Sequence, residues 1–426
     1  MRIYAFTQYY PSTFKPYFDT QFAQLVRDGH ELVVFAQGRQ GRTLNEKVSE
    51  LELEGRTRRY PTTLHTLPPF LTRALAELVR TPSDSLRRVR GGAGHPSWRA
   101  RLAAAVRALS LPRQAPDLCL VHDLTSAVRF SWLRSVYPDA PVALYYHGGE
   151  SPHSSTFCEA EVRRAFLGAD VIFTNTEFSR EHAVARGCPA DRVEIVPVGF
   201  SLEDYRPPAV RAYRPGGVLR LLTAGRMSEE KGHIHALEAV RMLVAAGMTD
   251  CRYTVVGDGY LRPALERYVD GHGLRSHVEF TGAVTTEALV AHVGEADVVL
   301  LPSIEWGTWV ENQACVVQEA MLMKALVVAT ATGGVPESTA PELRRFLVPP
   351  GDPAAIARAI RAVHALDYAG MRVLGEAGRA FAMERYDIRQ LNARLLDRAM
   401  AVSRPLSAEP PEGRALSVGV AEYIAT

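Results

Sequence analysis

The chain has 426 residues, 47% of them hydrophobic and 23% charged, which is more than one ordinary core accommodates and predicts two domains of roughly 200 residues each. With 49 Lys and Arg against 47 Asp and Glu, a strongly basic nucleic-acid binder is excluded and no nucleic-acid partner is expected. Five cysteines (119, 158, 188, 251 and 315) form no CxxC pair, no apolar run reaches the roughly 18 residues of a spanning helix, and Met1–Phe6 reads as a strand rather than a signal peptide. The expectation is a reduced, cytoplasmic protein without a zinc site or a disulfide framework.

Short apolar runs alternate with longer amphipathic segments, the pattern of βαβ units and parallel sheets. In the first half the predicted strands are 2–6, 31–35, 118–121, 142–146, 171–174 and 193–197, and in the second 219–224, 253–257, 278–281, 298–302 and 325–329. The fold class that follows is α/β, with two Rossmann-like doubly wound domains facing across a cleft. The first covers 1–206; the Pro- and Gly-rich stretch 207–217 is the linker, and the second covers 218–385. A helix over 386–404, with Leu391, Leu395, Leu396 and Met400 on one face, is expected to pack back on the first domain. The tail 405–426 has little periodicity.

Leu71 to Arg113 carries nine arginines (73, 80, 87, 88, 90, 99, 101, 107 and 113) against Glu77 and Asp84, interleaved with apolar residues. Two readings stand side by side: an amphipathic surface docking on anionic lipid headgroups, or a solvated helix face with an insertion around Gly91-Gly92-Ala93-Gly94.

Ligands of open parallel sheets bind beyond the carboxyl ends of the strands, and there the second half is the more informative. After the strand 219–224 comes Gly225-Arg226-Met227-Ser228-Glu229-Glu230-Lys231-Gly232, a turn able to aim two cations at one pair of phosphates. After 298–302 comes Glu311-Asn312-Gln313-Ala314-Cys315-Val316-Val317-Gln318-Glu319, with one glutamate at the start of a helix and a second one to two turns deeper. Free amides at a helix start suit a diphosphate, and flanking carboxylates accept hydrogen bonds from sugar and ribose hydroxyls. After the next strand stands Gly333-Gly334-Val335-Pro336-Glu337. Singly, each has a bland explanation: a helix cap, surface charge, a tight turn. All three lie at successive βα junctions, in this order.

From Leu219 to about Val363 these stretches, with Val255-Val256-Gly257-Asp258-Gly259 and Val278-Glu279-Phe280-Thr281-Gly282, resemble the donor domain of retaining glycosyltransferases of family four, which have the GT-B fold. The resemblance implies transfer of a sugar from a UDP- or GDP-sugar to a glycan, lipid-linked or small-molecule acceptor with retention of configuration. Arg226 and Lys231 fall where the family binds and stabilises the leaving diphosphate, Glu311 where it contacts the transferred sugar, and Glu319 where it holds the ribose. The amides of Ala314, Cys315 and Val316 would face sugar and phosphate oxygens, with Asn312 and Gln313 beside them, and Gly282 to Val284 lie near the nucleobase. Tyr145-Tyr146-His147-Gly148-Gly149-Glu150 is similar to the family's His-Gly segment, which puts His147 by the transferred sugar. Where many relatives have glycines after the first strand this chain has Tyr9-Tyr10-Pro11-Ser12-Thr13-Phe14, as in an exopolysaccharide branch; Ser12 or Thr13 would substitute, with His122 also on the acceptor side.

Asn312 stands where the family usually has glycine, and asparagine tolerates the left-handed backbone such a turn would use. The extra segment Ile304 to Val310 contains Trp306 and Trp309, for which loop packing is favoured over sugar stacking. No Asp-x-Asp stands where a donor metal would be held, so neither metal nor other cofactor is expected. The rival readings are a sugar-nucleotide hydrolase, epimerase or phosphorylase on the same scaffold, and a non-catalytic sugar-nucleotide-binding subunit. A dehydrogenase is disfavoured because the first strand leads into Thr7-Gln8-Tyr9-Tyr10 rather than a Gly-x-Gly-x-x-Gly loop.

Overall fold

A computed structural model describes residues 1–12, 15–41, 45–60, 68–90, 98–148, 157–208 and 217–402. The first sheet comprises β1 (Arg2–Ser12), β2 (Glu31–Gln40), β3 (Thr57–Arg59), β4 (Leu118–His122), β5 (Val142–Tyr146), β6 (Val171–Thr174) and β7 (Val193–Ile195), in the order β3-β2-β1-β4-β5-β6-β7. The second comprises β8 (Leu219–Ala224), β9 (Cys251–Val256), β10 (Val278–Gly282), β11 (Val298–Leu301), β12 (Leu326–Thr330) and β13 (Leu347–Val348), in the order β10-β9-β8-β11-β12-β13. All the strand pairings are parallel. The central strands are apolar on both faces, as parallel strands covered by helices must be. Strand order reverses between β1 and β4 and again between β8 and β11, so each sheet has its ligand-binding switch point there.

Two short edge strands, β3 and β13, escape sequence reading because so few residues carry no period. The first strand also runs further than expected: Tyr9 to Ser12 was read as loop, yet Tyr9 pairs with Gly38 and Ser12 with Gln40 across an irregular register. The neighbour β2, itself longer than its apolar core suggests, supplies the backbone partners that a polar sequence hides.

The helix Tyr368–Arg385 packs Met371, Leu374 and Ala382 into the second domain's core, whereas Ile388–Ala401 places Leu391, Leu395, Leu396 and Ala399 among Ile3, Ala5, Leu25 and Val171 of the first. The chain therefore crosses back between these helices. The crossing is held by backbone pairing: the Phe200 N–H donates to the Tyr386 carbonyl at 2.7 Å and the Ile388 N–H to the Phe200 carbonyl at 3.0 Å. Gln21 and Asn392 bond beside it at 3.3 Å. Residues 209–216 of the expected linker and 403–426 of the tail lie outside the described residues. Among the described residues no helix is long and apolar enough to cross a membrane.

Candidate active site

The second sheet's switch point gathers three loops. After β8 the chain makes a 3-10 turn over Glu229–Lys231, closed by Gly232 at φ +60°. A Cβ on Gly232 would lie 2.0 Å from the Pro302 carbonyl oxygen, so only glycine lets this turn press against the segment leaving β11. Ile304 N–H completes the contact by donating to the Glu230 carbonyl at 2.9 Å. The result brings Lys231 Nζ to 2.7 Å from Glu311 Oε2, an oxygen that also accepts from Ser303 Oγ at 2.8 Å. Arg226, on the same turn, bonds Glu230 Oε1 at 2.6 Å and Ser228 Oγ at 3.3 Å. Both cations predicted to meet a diphosphate are thus present at this junction, each against a carboxylate.

The third loop positions Glu311 from behind. Gly333, at φ +51°, allows no Cβ, since one would sit 1.9 Å from the Glu311 carbonyl oxygen, and Gly334 N–H donates to that oxygen at 3.1 Å. The Gly-Gly pair is therefore a close approach that holds the glutamate's backbone. The helix Cys315–Leu322 begins three residues after Asn312 with Ala314 as its N-cap and no side-chain cap; the Val317 N–H turns back to the Ala314 carbonyl, which leaves the Cys315 and Val316 amides to an incoming acceptor. Burial, then Glu319 and Glu311, push the Cys315 thiol up, with Lys231 opposing. Glu319 is 9% exposed and accepts from Tyr205 Oη–H at 3.0 Å; burial raises its carboxyl to about 7, the Tyr205 bond acting against this. At the rim beyond β10, Gly282 at φ +77° accepts from Gly257 N–H at 2.9 Å, and half-buried Val284 packs on the second core. Among the described residues no group of three His, Cys, Asp or Glu side chains could hold a metal ion.

One expectation for Asn312 is corrected, its backbone conformation. Asn312 takes no left-handed backbone. Its amide instead reaches the first domain, accepting from Thr176 Oγ1 and donating to the His147 carbonyl. Gln313 clasps Val198 in both directions, accepting its N–H at 2.7 Å and donating to its carbonyl at 2.9 Å. Both side chains thus join the two domains. Glu337 does likewise: its carboxylate accepts the Glu177 and Phe178 N–H groups at 2.8 and 2.9 Å, capping the helix Glu177–Ala185 across the cleft. Sequence reading missed Thr176, Tyr205 and Ser303, whose only signal is proximity in space.

In the first domain His147 follows β5, and its backbone, not its ring, meets the second domain. The ring stacks on Tyr145 with centroids 4.3 Å apart and lies with Nε2 3.2 Å from Nδ1 of His122, which ends β4 and is wholly buried. Burial holds His122 down to about 3 and His147 well below its usual range, Lys15 adding to both, so both rings are neutral near pH 7 and one proton lies between them. Nε2 of His122 and Nδ1 of His147 are both buried, and the Asn175 side chain bonds the His147 ring. Ser12 is buried and bonds Gln40 Oε1 at 3.2 Å, while Thr13, Gly149 and Glu150 lie outside the described residues.

The family models agree with this architecture half by half: residues 17–204 match the one described as Glycosyltransferase Family 4, and residues 219–365 the one described as Glycosyl transferases group 1. The chain belongs to glycosyltransferase family 4. Over 273 residues it is 28% identical to the amylovoran biosynthesis glycosyltransferase AmsK of Erwinia amylovora, covering 63% of this chain and 66% of AmsK. Over 249 residues it is 29% identical to a GDP-mannose-dependent alpha-(1-6)-phosphatidylinositol monomannoside mannosyltransferase of Mycobacterium tuberculosis, covering 55% of this chain and 63% of that one. These matches span just under two thirds of the relatives' own length. The crystal structure of Anabaena HepE in complex with UDP-glucose superposes with a TM-score of 0.66 at 18% identity, covering 93% of this chain and 98% of HepE, which shows a shared GT-B fold.

Because Glu319 binds its proton more tightly folded than unfolded, it contributes stability below the unfolded value near 4.5 that is lost as pH rises towards about 7. The melting temperature of the wild type relative to Glu319→Gln should therefore fall between pH 5 and pH 8, by the equivalent of a few kcal/mol at most. A difference independent of pH would show that this carboxyl is ordinary.

Proposed function

We propose that this family member transfers a sugar from a UDP- or GDP-sugar to a glycan, lipid-linked or small-molecule acceptor in polysaccharide or glycoconjugate synthesis, with retention of configuration and without a metal. The observation that carries this is the Lys231–Glu311 pair beside the uncapped start of the helix Cys315–Leu322, with Arg226 on the same turn. Fixed cations and helix amides together neutralise a departing diphosphate, while Glu311 and Glu319 accept from sugar and ribose hydroxyls. The anomeric C–O bond to the diphosphate breaks as the acceptor oxygen bonds the same face of the sugar. The acceptor proton passes to a phosphate oxygen of the leaving group. His147, held neutral by burial, would stand beside the transferred sugar.

Arriving phosphates would compete with Glu311 for Lys231 and with Glu230 for Arg226. UDP in HepE crystals and GDP-mannose dependence in the mycobacterial relative support a nucleotide-sugar donor without choosing the base. Turnover of UDP- and GDP-sugars by the purified protein tests the reading, with the product anomer read by proton NMR. Lys231→Ala and Glu311→Ala should each lower kcat at least a hundredfold with unchanged circular dichroism, and wild-type turnover should survive excess EDTA. Near-normal rates in either variant, or activity lost to EDTA and restored by manganese, would contradict it. Sugar released only to water would favour the hydrolase alternative.

Peripheral contact with anionic lipid through 71–113 belongs to the same proposal. This segment forms the helices Pro68–Arg80, Pro82–Arg90 and Trp98–Ser110, which expose Leu75, Leu78, Val79, Leu86 and Leu102. Not all of its charge faces solvent: Arg88 and Arg107 are buried. Both acidic residues are occupied, however, Glu77 by Arg113 at 2.6 Å and Asp84 by Arg88 at 2.9 Å, while Arg80 and Arg101 are exposed. Co-sedimentation with phosphatidylglycerol-containing vesicles at low salt, reversed at high salt, is expected; no salt-sensitive binding would rule the contact out.

A further inference from the structure

The segment between Ser303 and Glu311 forms a tight hairpin. Trp306 N–H donates to the Trp309 carbonyl at 3.0 Å and Trp309 N–H to the Trp306 carbonyl at 2.9 Å, with Gly307 at φ +60° and Thr308 at the tip. It is anchored at both ends, by Ile304 on Glu230 and by Glu311 on Lys231 and Ser303. Such short connections between fixed points move little.

The two tryptophans differ in environment. Trp309 is 8% exposed, and the Lys231 ammonium stands 4.8 Å from its ring centroid, a cation–π contact that makes this side chain part of the site's wall. Trp306 is 48% exposed. Residues that exchange both backbone hydrogen bonds in an antiparallel pair project their side chains from the same face of the ribbon. Trp306 therefore extends from the face that Trp309 turns towards Lys231, at the mouth of the Lys231–Glu311 site. A single exposed apolar side chain is ordinary on a protein surface. An exposed indole on an anchored ribbon, facing the reacting centre, has a ligand-binding geometry.

We propose that Trp306 is a stacking platform for a pyranose ring of the acceptor. This rests on the transfer reading above and adds where the second substrate sits. One face of a pyranose is largely C–H and covers an indole well, while its hydroxyl edges reach outward to groups such as Glu305 and Thr308, both exposed at the hairpin. The donor sugar is accounted for deeper in the cleft by Glu311 and the helix start, which leaves the rim to the acceptor. Loop packing, the expected role of both tryptophans, describes Trp309 only.

Labelling with 5-fluorotryptophan gives one fluorine resonance for each of the four tryptophans, and Trp306→Phe assigns the relevant one. The labelled protein is titrated with methyl α-glucoside, methyl α-galactoside, methyl α-mannoside, maltose and lactose, with and without UDP or GDP. The Trp306 resonance should shift saturably with at least one saccharide while that of buried Trp132 stays in place. Trp306→Ala should weaken the same saccharide about fivefold or more, read from the Trp309 resonance. A Trp306 resonance that no saccharide moves overturns the proposal, as does one that responds only to protein concentration or to lipid vesicles. Nucleotide-sugar turnover is measured on the same preparation; its absence would count against the transfer reading, independently of the saccharide shifts.

Discussion

The ion pair between Lys231 and Glu311 is the constraint around which the second domain's loops are built. Glu311 is 6% exposed, and burying a carboxylate this far demands a close partner and further hydrogen bonds, supplied by Lys231, Ser303 and the ring of Trp309 under the cation. A buried pair of this kind contributes little to stability over an apolar equivalent, so its value lies in placing two opposite charges at a fixed spot. Glycine-dependent contacts from the loops after β8 and β12 converge there on the segment after β11. A phosphate group is a stronger partner for the ammonium than a single carboxylate, and sugar hydroxyls can satisfy the carboxylate in turn. The pair thus has the form of a site whose two halves are exchanged onto one ligand.

The segment that carries Glu311 also joins the domains. The next two residues bind Thr176, His147 and Val198 across the cleft, and Glu337, from the loop that supports the Glu311 backbone, caps a helix of the first domain. Movement of one domain against the other therefore acts directly on the loop that sets the carboxylate. The backbone crossing at Phe200 and Ile388 lies beside Val198, so the pivot and the clasp are neighbours.

Much of the second domain was legible in sequence because its strands are short, apolar and buried on both faces, and because the loops after β8, β11 and β12 carry charged and glycine residues in a fixed order. The pairing of Lys231 with Glu311 was not: the two are 80 residues apart, and only the parallel β8–β11 contact brings their loops together. The inter-domain bonds of Asn312 and Gln313 were hidden for a related reason, because their partners Thr176, His147 and Val198 come near only when the facing domain is in place. In the first domain Ser12 looked like loop because a polar strand segment paired on β2 has no apolar alternation to reveal it. His147 was placed at the cleft, but its stacking on Tyr145 and its bond to wholly buried His122 depend on tertiary packing that no local spacing encodes.

Crystal structures with UDP and with GDP bound test the central claim most directly. The account predicts a diphosphate with an oxygen within hydrogen-bonding distance of Lys231 Nζ and of the Cys315 or Val316 amide, its ribose on Glu319, and the Lys231–Glu311 contact lengthened or broken. A nucleotide bound elsewhere with that contact intact would contradict it.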